Sequence, residues 1–330
     1  MIRWGVLSTA KIGVKQAIPA LWAAPDCKVT TIASRDLNKA MDVAKQFEIP
    51  IAADSYDAVL QSSDVDAVYI PLPSSHHVEW TQKAAVAGKH VLCEKPIALE
   101  AAEITRLIEE RDAQNVMVSE AMMAVYHPQW RKVRDLIEDG AIGALRHVTA
   151  SFAYHNTDPN NIRNKLETGG GALPDIGCYP IATTRFATGA DATRVVAQIQ
   201  RDRSFGTDIN VAALIDFGDF DLLMQVATQL AWRQSSTFHG ENGYIQVAAP
   251  FNAMPKSADV VRLFRDAREA PEEFRFDGIN QYRMQFEAFS QAVRTNDGST
   301  ILSLEESRQN QSIIDSIYAS ARTGSWQDII

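Results

Sequence analysis

The sequence predicts an α/β protein of two domains: an N-terminal doubly wound parallel sheet of Rossmann type, then an α+β domain on a large, mostly antiparallel open sheet. Three observations carry this. Short Val- and Ile-rich runs alternate with helical patterns from Arg3 to about Ser119. After roughly Ala121, strand-like runs follow one another with only turns between them. The 330 residues, 46% hydrophobic and 22% charged, form an ordinary globular composition, long enough for about two domains. The boundary is expected near residues 120–126, giving domains 1–122 and 123–330.

In chain order, the first domain's strands are read at Arg3–Leu7, Val29–Ser34, Ala67–Pro71, His90–Cys93 and Val116–Ser119. Helical patterns lie between and after them at Ile12–Ala24, Leu37–Phe47, Tyr56–Gln61, Val78–Ala87 and Ala101–Ala113. The second domain's strands are read at Ala144–Tyr154, Val195–Arg201, Asn210–Asp216, Asp221–Thr228, Ser235–His239, Tyr244–Val247 and Asp259–Phe264, with hairpin turns at Gly218 and Gly240–Gly243. Two helices close the chain. One carries Tyr282, Phe286, Phe289 and Val293 on a single stripe; the other opens with Ser303 and Glu306 in capping-box spacing before Ile314, Ile317 and Ala321. Such stripes are read as core.

Charge and cysteines narrow the function classes. With 32 Lys and Arg against 41 Asp and Glu, the net charge is −9, which argues against a phosphate-backbone binder and so against nucleic acid. Cys27, Cys93 and Cys178 lack the paired spacing of a zinc ribbon or disulfide framework. Reduced thiols in a cytoplasmic, soluble protein are expected. The first eight residues read as a buried strand, so no signal peptide is expected, and no apolar run reaches the ~18 residues of a membrane span. The seven histidines and three cysteines show no metal-ligand spacing, so no metal is expected.

The first strand runs into Ser8-Thr9-Ala10-Lys11-Ile12-Gly13, where a dinucleotide fold sets its Gly-rich turn against a pyrophosphate. Only Gly13 of the three glycines is present, with Ser8 and Ala10 in the other places and the Ser8 and Thr9 hydroxyls available as donors. A plain strand-to-helix turn is the alternative. About 20 residues on, the second strand ends at Ser34-Arg35, where the ribose-reading residue belongs. Arg35 with Lys39 suits a 2′-phosphate, which favours NADP over NAD. The bland reading makes them a solvated helix start beside Asp36.

Two further segments lie at strand ends. Pro71-Leu72-Pro73 with His76 and His77 leaves one strand; Gly88 to Pro96, ending Glu94-Lys95-Pro96, leaves the next. An ionisable pair at a buried strand end is costly without partners. Farther on, Gly169-Gly170-Gly171 is expected to permit close backbone approach. Pro180 must lie in a first helical turn, so that helix begins near Gly177 with Asp175 at or just before its N-cap. Asp175 as a plain cap and Tyr179 as a packed aromatic are the alternatives.

In this order these residues resemble the Gfo/Idh/MocA oxidoreductases, in the branch of dihydrodiol dehydrogenases, NADP-dependent D-xylose dehydrogenases, glucose–fructose oxidoreductases and deoxysugar ketoreductases. The resemblance spans the chain through Ser8–Gly13, Gly88–Pro96 and Gly169–Tyr179; many relatives have His where this chain has Tyr179. It implies a Rossmann domain, a second domain that often mediates dimerisation, and nicotinamide chemistry at the cleft between them. It also implies Lys95 as catalytic lysine, Tyr179 as acid/base and Asp175 as neighbouring carboxylate, orienting Lys95 or binding substrate. Free Tyr titrates near pKa ~10, and a nearby Lys95 ammonium is expected to favour its phenolate.

The expected cofactor contacts are Ser8, Thr9, Ala10, Lys11, Ile12 and Gly13 for the pyrophosphate, and Ser34, Arg35 and Lys39 for the adenosine ribose. Pro71, Leu72, Pro73, His77, Glu94 and Lys95 are expected toward the nicotinamide. Substrate contacts fall on Lys95, Arg163, Asp175 and Tyr179, with a surface salt bridge as the other reading of Arg163. The expected activity is an NADP(H)-dependent dehydrogenase of sugar-like or cyclic diol substrates. A reductase of keto-sugars, nucleotide-linked ones included, and a non-catalytic NADP-binding regulator are the alternatives. A homodimer or higher homo-oligomer through the C-terminal sheet is expected.

Overall fold

The architecture is that of a computed structural model, which describes residues 1–253, 259–266 and 268–330. Six strands form the first sheet: β1 (Ile2–Leu7), β2 (Cys27–Ala33), β3 (Ile51–Ala53), β4 (Ala67–Ile70), β5 (His90–Glu94) and β6 (Val118–Ala121). All neighbours pair in parallel, in the order β3-β2-β1-β4-β5-β6. Helices α1 (Ile18–Ala23), α2 (Leu37–Gln46), α3 (Tyr56–Gln61), α4 (His77–Val86) and α5 (Ala101–Gln114) provide the crossovers. Burial along both faces of β1 and β4 explains why these strands read as continuous apolar runs. The strand order reverses between β1 and β4, which opens a crevice beyond their carboxyl ends.

Two details differ from the sequence expectation. The short β3 is an added edge strand. The sixth strand begins at Val118 rather than Val116, because Asn115 turns left-handed (φ 51°) and the Val116 N–H still donates to Arg111 O at the end of α5.

The first compact unit comprises Met1–Met123 together with Gln281–Arg308; the second comprises Ala124–Asn280 with Gln309–Ile330. A single boundary at 122/123 would put Gln281–Arg308 in the second domain, and here the structure differs. The helix Gln281–Thr295 packs its aromatic stripe on the parallel sheet. Phe286 meets Trp4 edge-on at 5.2 Å and Tyr69 at 5.4 Å, and Phe289 lies 5.4 Å from Trp4. Each such ring pair adds about 0.5–1.5 kcal/mol beyond the burial of its area.

The second unit holds α6 (Pro128–Glu138) and α7 (Cys178–Thr188) and nine strands: β7 (Leu145–His155), β8 (Arg194–Arg201), β9 (Asp208–Asp216), β10 (Asp221–Ala227), β11 (Gln229–Gly240), β12 (Tyr244–Val247), β13 (Asp259–Phe264), β14 (Glu272–Phe276) and β15 (Gln327–Asp328). Their order is β14-β13-β12-β11-β7-β10-β9-β8-β15; β7 and β10 pair in parallel and every other neighbouring pair is antiparallel. On one face Leu222, Met224 and Val226 of β10 lie buried opposite Val148, Ala150 and Phe152 of β7. On the other face, Leu223 is 47% exposed. The alternation of burial along these strands is the period-2 signal that made them legible.

His127, which caps α6 by accepting from Gln129 N through Nδ1, places Nε2 3.3 Å from Asp259 Oδ2 on β13. Both side chains are buried. Burial lowers the His127 pKa to about 4 and raises that of Asp259 to about 6, with Asp277 adding to the rise.

Candidate active site

In the first unit, β1 ends at Ser8, which turns the chain at φ 131°. Its Oγ accepts from Ala10 N at 3.0 Å and donates to Pro71 O at 3.3 Å. The Ser8 hydroxyl thus ties the end of β1 to the end of β4. Gly13 opens a π-helical turn, Gly13–Ala17, and a Cβ there would come within 3.4 Å of Pro71 Cγ. This close packing brings the first turn and Pro71 together at the sheet's reversal point. A helix start at that point suits a pyrophosphate.

At the end of β2, Ser34 Oγ accepts from Asp36 N, and Asp36 caps α2 by accepting from Asn38 N. Lys39 Nζ lies 3.5 Å from Asp36 Oδ2 and is 70% exposed, so its charge is shared with that cap. Arg35 is exposed on the same turn, near Tyr56 of α3. An exposed guanidinium suits a phosphate better than a ribose diol.

The Glu94-Lys95-Pro96 turn is fixed from three sides. Tyr69 Oη donates to Glu94 Oε1 at 2.6 Å, the buried Glu120 of β6 accepts from Ile97 N at 2.9 Å, and His77 lies 2.7 Å from Pro96 O. Burial pushes the Glu120 carboxyl up, while the Lys95 charge pulls it back. His77 also reaches Leu72 O at 2.8 Å with its second nitrogen. It is fully enclosed, and burial lowers its pKa. A neutral ring carries one N–H, so one carbonyl is served at a time. Both nitrogens face backbone carbonyls, and the residue ties the loop after β4 to the loop after β5. His76 beside it is exposed.

In the second unit, the three glycines do permit close approach. A Cβ on Gly170 would fall 2.5 Å from Arg163 O, and one on Gly171 2.3 Å from Asp208 Oδ1, where φ is 144°. The helix then begins earlier than expected. A π-helical turn, Leu173–Gly177, runs directly into α7, with Pro174 in its first turn. Asp175 thus lies inside the turn instead of at the N-cap, because the wide π turn, and not Gly177, starts the helix. Pro180 keeps its place near the start of the regular α-helix.

Asp175 Oδ2 accepts from Tyr154 Oη at 2.6 Å and faces Arg163 Nε at 2.9 Å. The Asp175 charge is the main cause raising the Arg163 pKa. Arg163 is therefore an ion-pair partner of Asp175, brought there by the 3₁₀ turn Ile162–Asn164 that Asn161 caps. Tyr179 is 5% exposed, its ring 5.6 Å from Phe152 and 5.9 Å from Phe251. Sequence reasoning missed Tyr154, Glu120 and Asp208. Each is one polar residue on an ordinary strand, and no spacing marks it.

Comparison with known proteins supplies the class. The family model described as an oxidoreductase family with an NAD-binding Rossmann fold matches residues 2–122, and that of the GFO/IDH/MocA C-terminal domain matches residues 130–246. The chain is 34% identical over 324 residues to D-xylose 1-dehydrogenase (NADP(+)) 2 of Haloferax volcanii, covering 97% of this chain and 98% of that protein. It is 33% identical over 323 residues to a dTDP-3,4-didehydro-2,6-dideoxy-alpha-D-glucose 3-reductase of Actinomadura kijaniata, covering 97% and 96%. The crystal structure of a 3-ketoreductase from Actinomadura kijaniata with NADP and TDP-benzene superposes with a TM-score of 0.90 at 32% identity, covering 97% of each chain. By both domain matches and this full-length similarity, the chain belongs to the Gfo/Idh/MocA family of oxidoreductases.

Proposed function

We propose that the chain is an NADP(H)-dependent oxidoreductase that transfers a hydride between nicotinamide and a carbinol carbon of a sugar-like or cyclic diol substrate, as an aldose 1-dehydrogenase or a trans-dihydrodiol dehydrogenase does. The observation that carries this reading is the 34% identity to an NADP-dependent D-xylose dehydrogenase across 97% of the chain. NADP(H), when bound, supplies or takes the hydride. Ser8–Gly13 hold its pyrophosphate through backbone N–H groups, Arg35 and Lys39 its 2′-phosphate, and Pro71, Leu72, Pro73 and Glu94 its nicotinamide side. Tyr179 gives or takes the proton at the substrate oxygen, and Lys95, by its place in the Glu94-Lys95-Pro96 motif, matches the family's catalytic lysine. Asp175 pairs with Arg163 Nε at 2.9 Å, and the two contact substrate hydroxyls.

The second reading, reduction of a keto-sugar, is supported by the 33% identity to a dTDP-keto-sugar 3-reductase. A panel of aldoses, dihydrodiols and keto-sugars against NADP and NAD, followed by NADPH absorbance, separates them. Oxidation of D-xylose or a dihydrodiol with NADP⁺ supports the leading reading, and turnover of keto-sugars alone selects the second. NADPH binding without any turnover would make the chain a non-catalytic regulator.

The assembly read here is a homodimer through the open face of the nine-stranded sheet, supported by the exposed Leu223 on β10. A cytoplasmic location is supported by three buried cysteines that form no disulfide with one another. Among the described residues no helix is long and apolar enough to cross a membrane.

A further inference from the structure

Asp208, at the start of β9, is 2% exposed and belongs to no expected site. A carboxylate at such depth is expensive unless both oxygens are satisfied. Its Oδ2 accepts from Leu173 N at 2.6 Å, and its Oδ1 accepts from Tyr318 Oη at 2.9 Å. Leu173 is the first residue of the π-helical turn that carries Asp175 and leads into Tyr179. The amides of a helix start have no partner inside the helix, and Asp208 supplies one from a sheet strand. Burial and the neighbouring carboxylate push the Tyr318 phenol up, so it stays a donor to Asp208.

Gly171 completes the arrangement. A Cβ there would fall 2.3 Å from Asp208 Oδ1 at φ 144°, so the close approach requires glycine. On its far side, Tyr318 rides on the helix Leu304–Thr323.

We propose that Asp208, backed by Tyr318, is a positioning residue that fixes where the helix start presents Asp175 and Tyr179. The proposal rests on the reading above that Tyr179 moves the proton. A carboxylate bond to the first amide anchors a turn whose wide π geometry holds it less firmly than regular α-helix does. Without that anchor the phenol wanders from its productive place, and a displacement near 1 Å costs a rate factor of about 100.

Asp208→Asn and Tyr318→Phe test this in the full chain, with D-xylose and NADP⁺ as the kinetic probe and hydrogen exchange of the 173–179 amides as the structural one. In Asp208→Asn, exchange at 173–179 should rise while exchange in β1–β6 stays as in the wild type. The kcat should fall about 10- to 100-fold with the KM for NADP⁺ unchanged, and the pH limb lost in Tyr179→Phe should move. Tyr318→Phe should show the same pattern more weakly. A merely structural role would lower the fraction of active enzyme and leave kcat per NADPH site and the pH limb alone, and that result overturns the proposal. Unchanged exchange at 173–179 in both variants overturns it too, even if D-xylose proves not to be a substrate. Full activity of Tyr179→Phe overturns the functional reading instead.

Discussion

Tyr179 packs its ring against Phe152 and Phe251 in the second unit, contacts that a phenylalanine would keep. Tyr179→Phe should therefore fold normally and bind NADPH as before, while turnover falls about 100- to 10,000-fold, the range for loss of a general acid/base. Steady-state kinetics beside NADPH fluorescence titration checks both halves. Arg35 allows the complementary test. Arg35→Asp should raise the KM for NADP about 10- to 100-fold, the worth of a charged hydrogen bond, and leave that for NAD nearly unchanged. An unaltered cofactor preference would remove Arg35 from the site. At this scale the sequence marks Lys95, Asp175 and Tyr179 by motif as residues of the proposed site. It did not mark the residues that hold them. Glu120 braces the turn after Lys95 through a pairing over 23 positions, and Tyr154 and Asp208 brace the Leu173–Gly177 turn through pairings over 21 and 35, which no local pattern encodes.

Elements were read through period and punctuation, and both succeeded where burial alternates cleanly. The strands β7 and β10 show this, with one face buried residue by residue. β3 escaped because its three residues are exposed or half-buried and carry no pattern. The junction of α6 and β13 supports a prediction at the same scale. Asp259 titrates near 4 when free and near 6 when folded, so between those values the folded chain holds a proton that the unfolded chain has lost. Its burial therefore costs little at pH 4 and progressively more up to pH 6. His127 runs the other way: the unfolded imidazole takes its proton below about 6.5 and the folded one only near 4, so that cost grows as pH falls. Asp259→Asn removes the first cost alone. The variant should be more stable than the wild type at pH 8 by about 1–3 kcal/mol, with roughly half that gain at pH 5. Urea unfolding at the two pH values measures it; an equal gain at both would show that ionisation is not the cause.

The whole molecule adds assembly and chain order. If the open face of the large sheet joins two copies, Leu223→Glu sets like charges against each other across a two-fold axis and should shift sedimentation from dimer to monomer without loss of the fold. A wild type that sediments as a monomer would end that reading. The two-part organisation was legible from the change of rhythm near residue 121, but the return of the chain was not. Nothing local in Phe286 or Phe289 says which sheet they cover. That return matters during synthesis. The nucleotide-binding half emerges from the ribosome first, yet Trp4 and Tyr69 lack the cover of Phe286 until that residue arrives, more than 150 codons later. A fragment cut at residue 123 leaves that apolar face without its helix and is a poor candidate for separate expression.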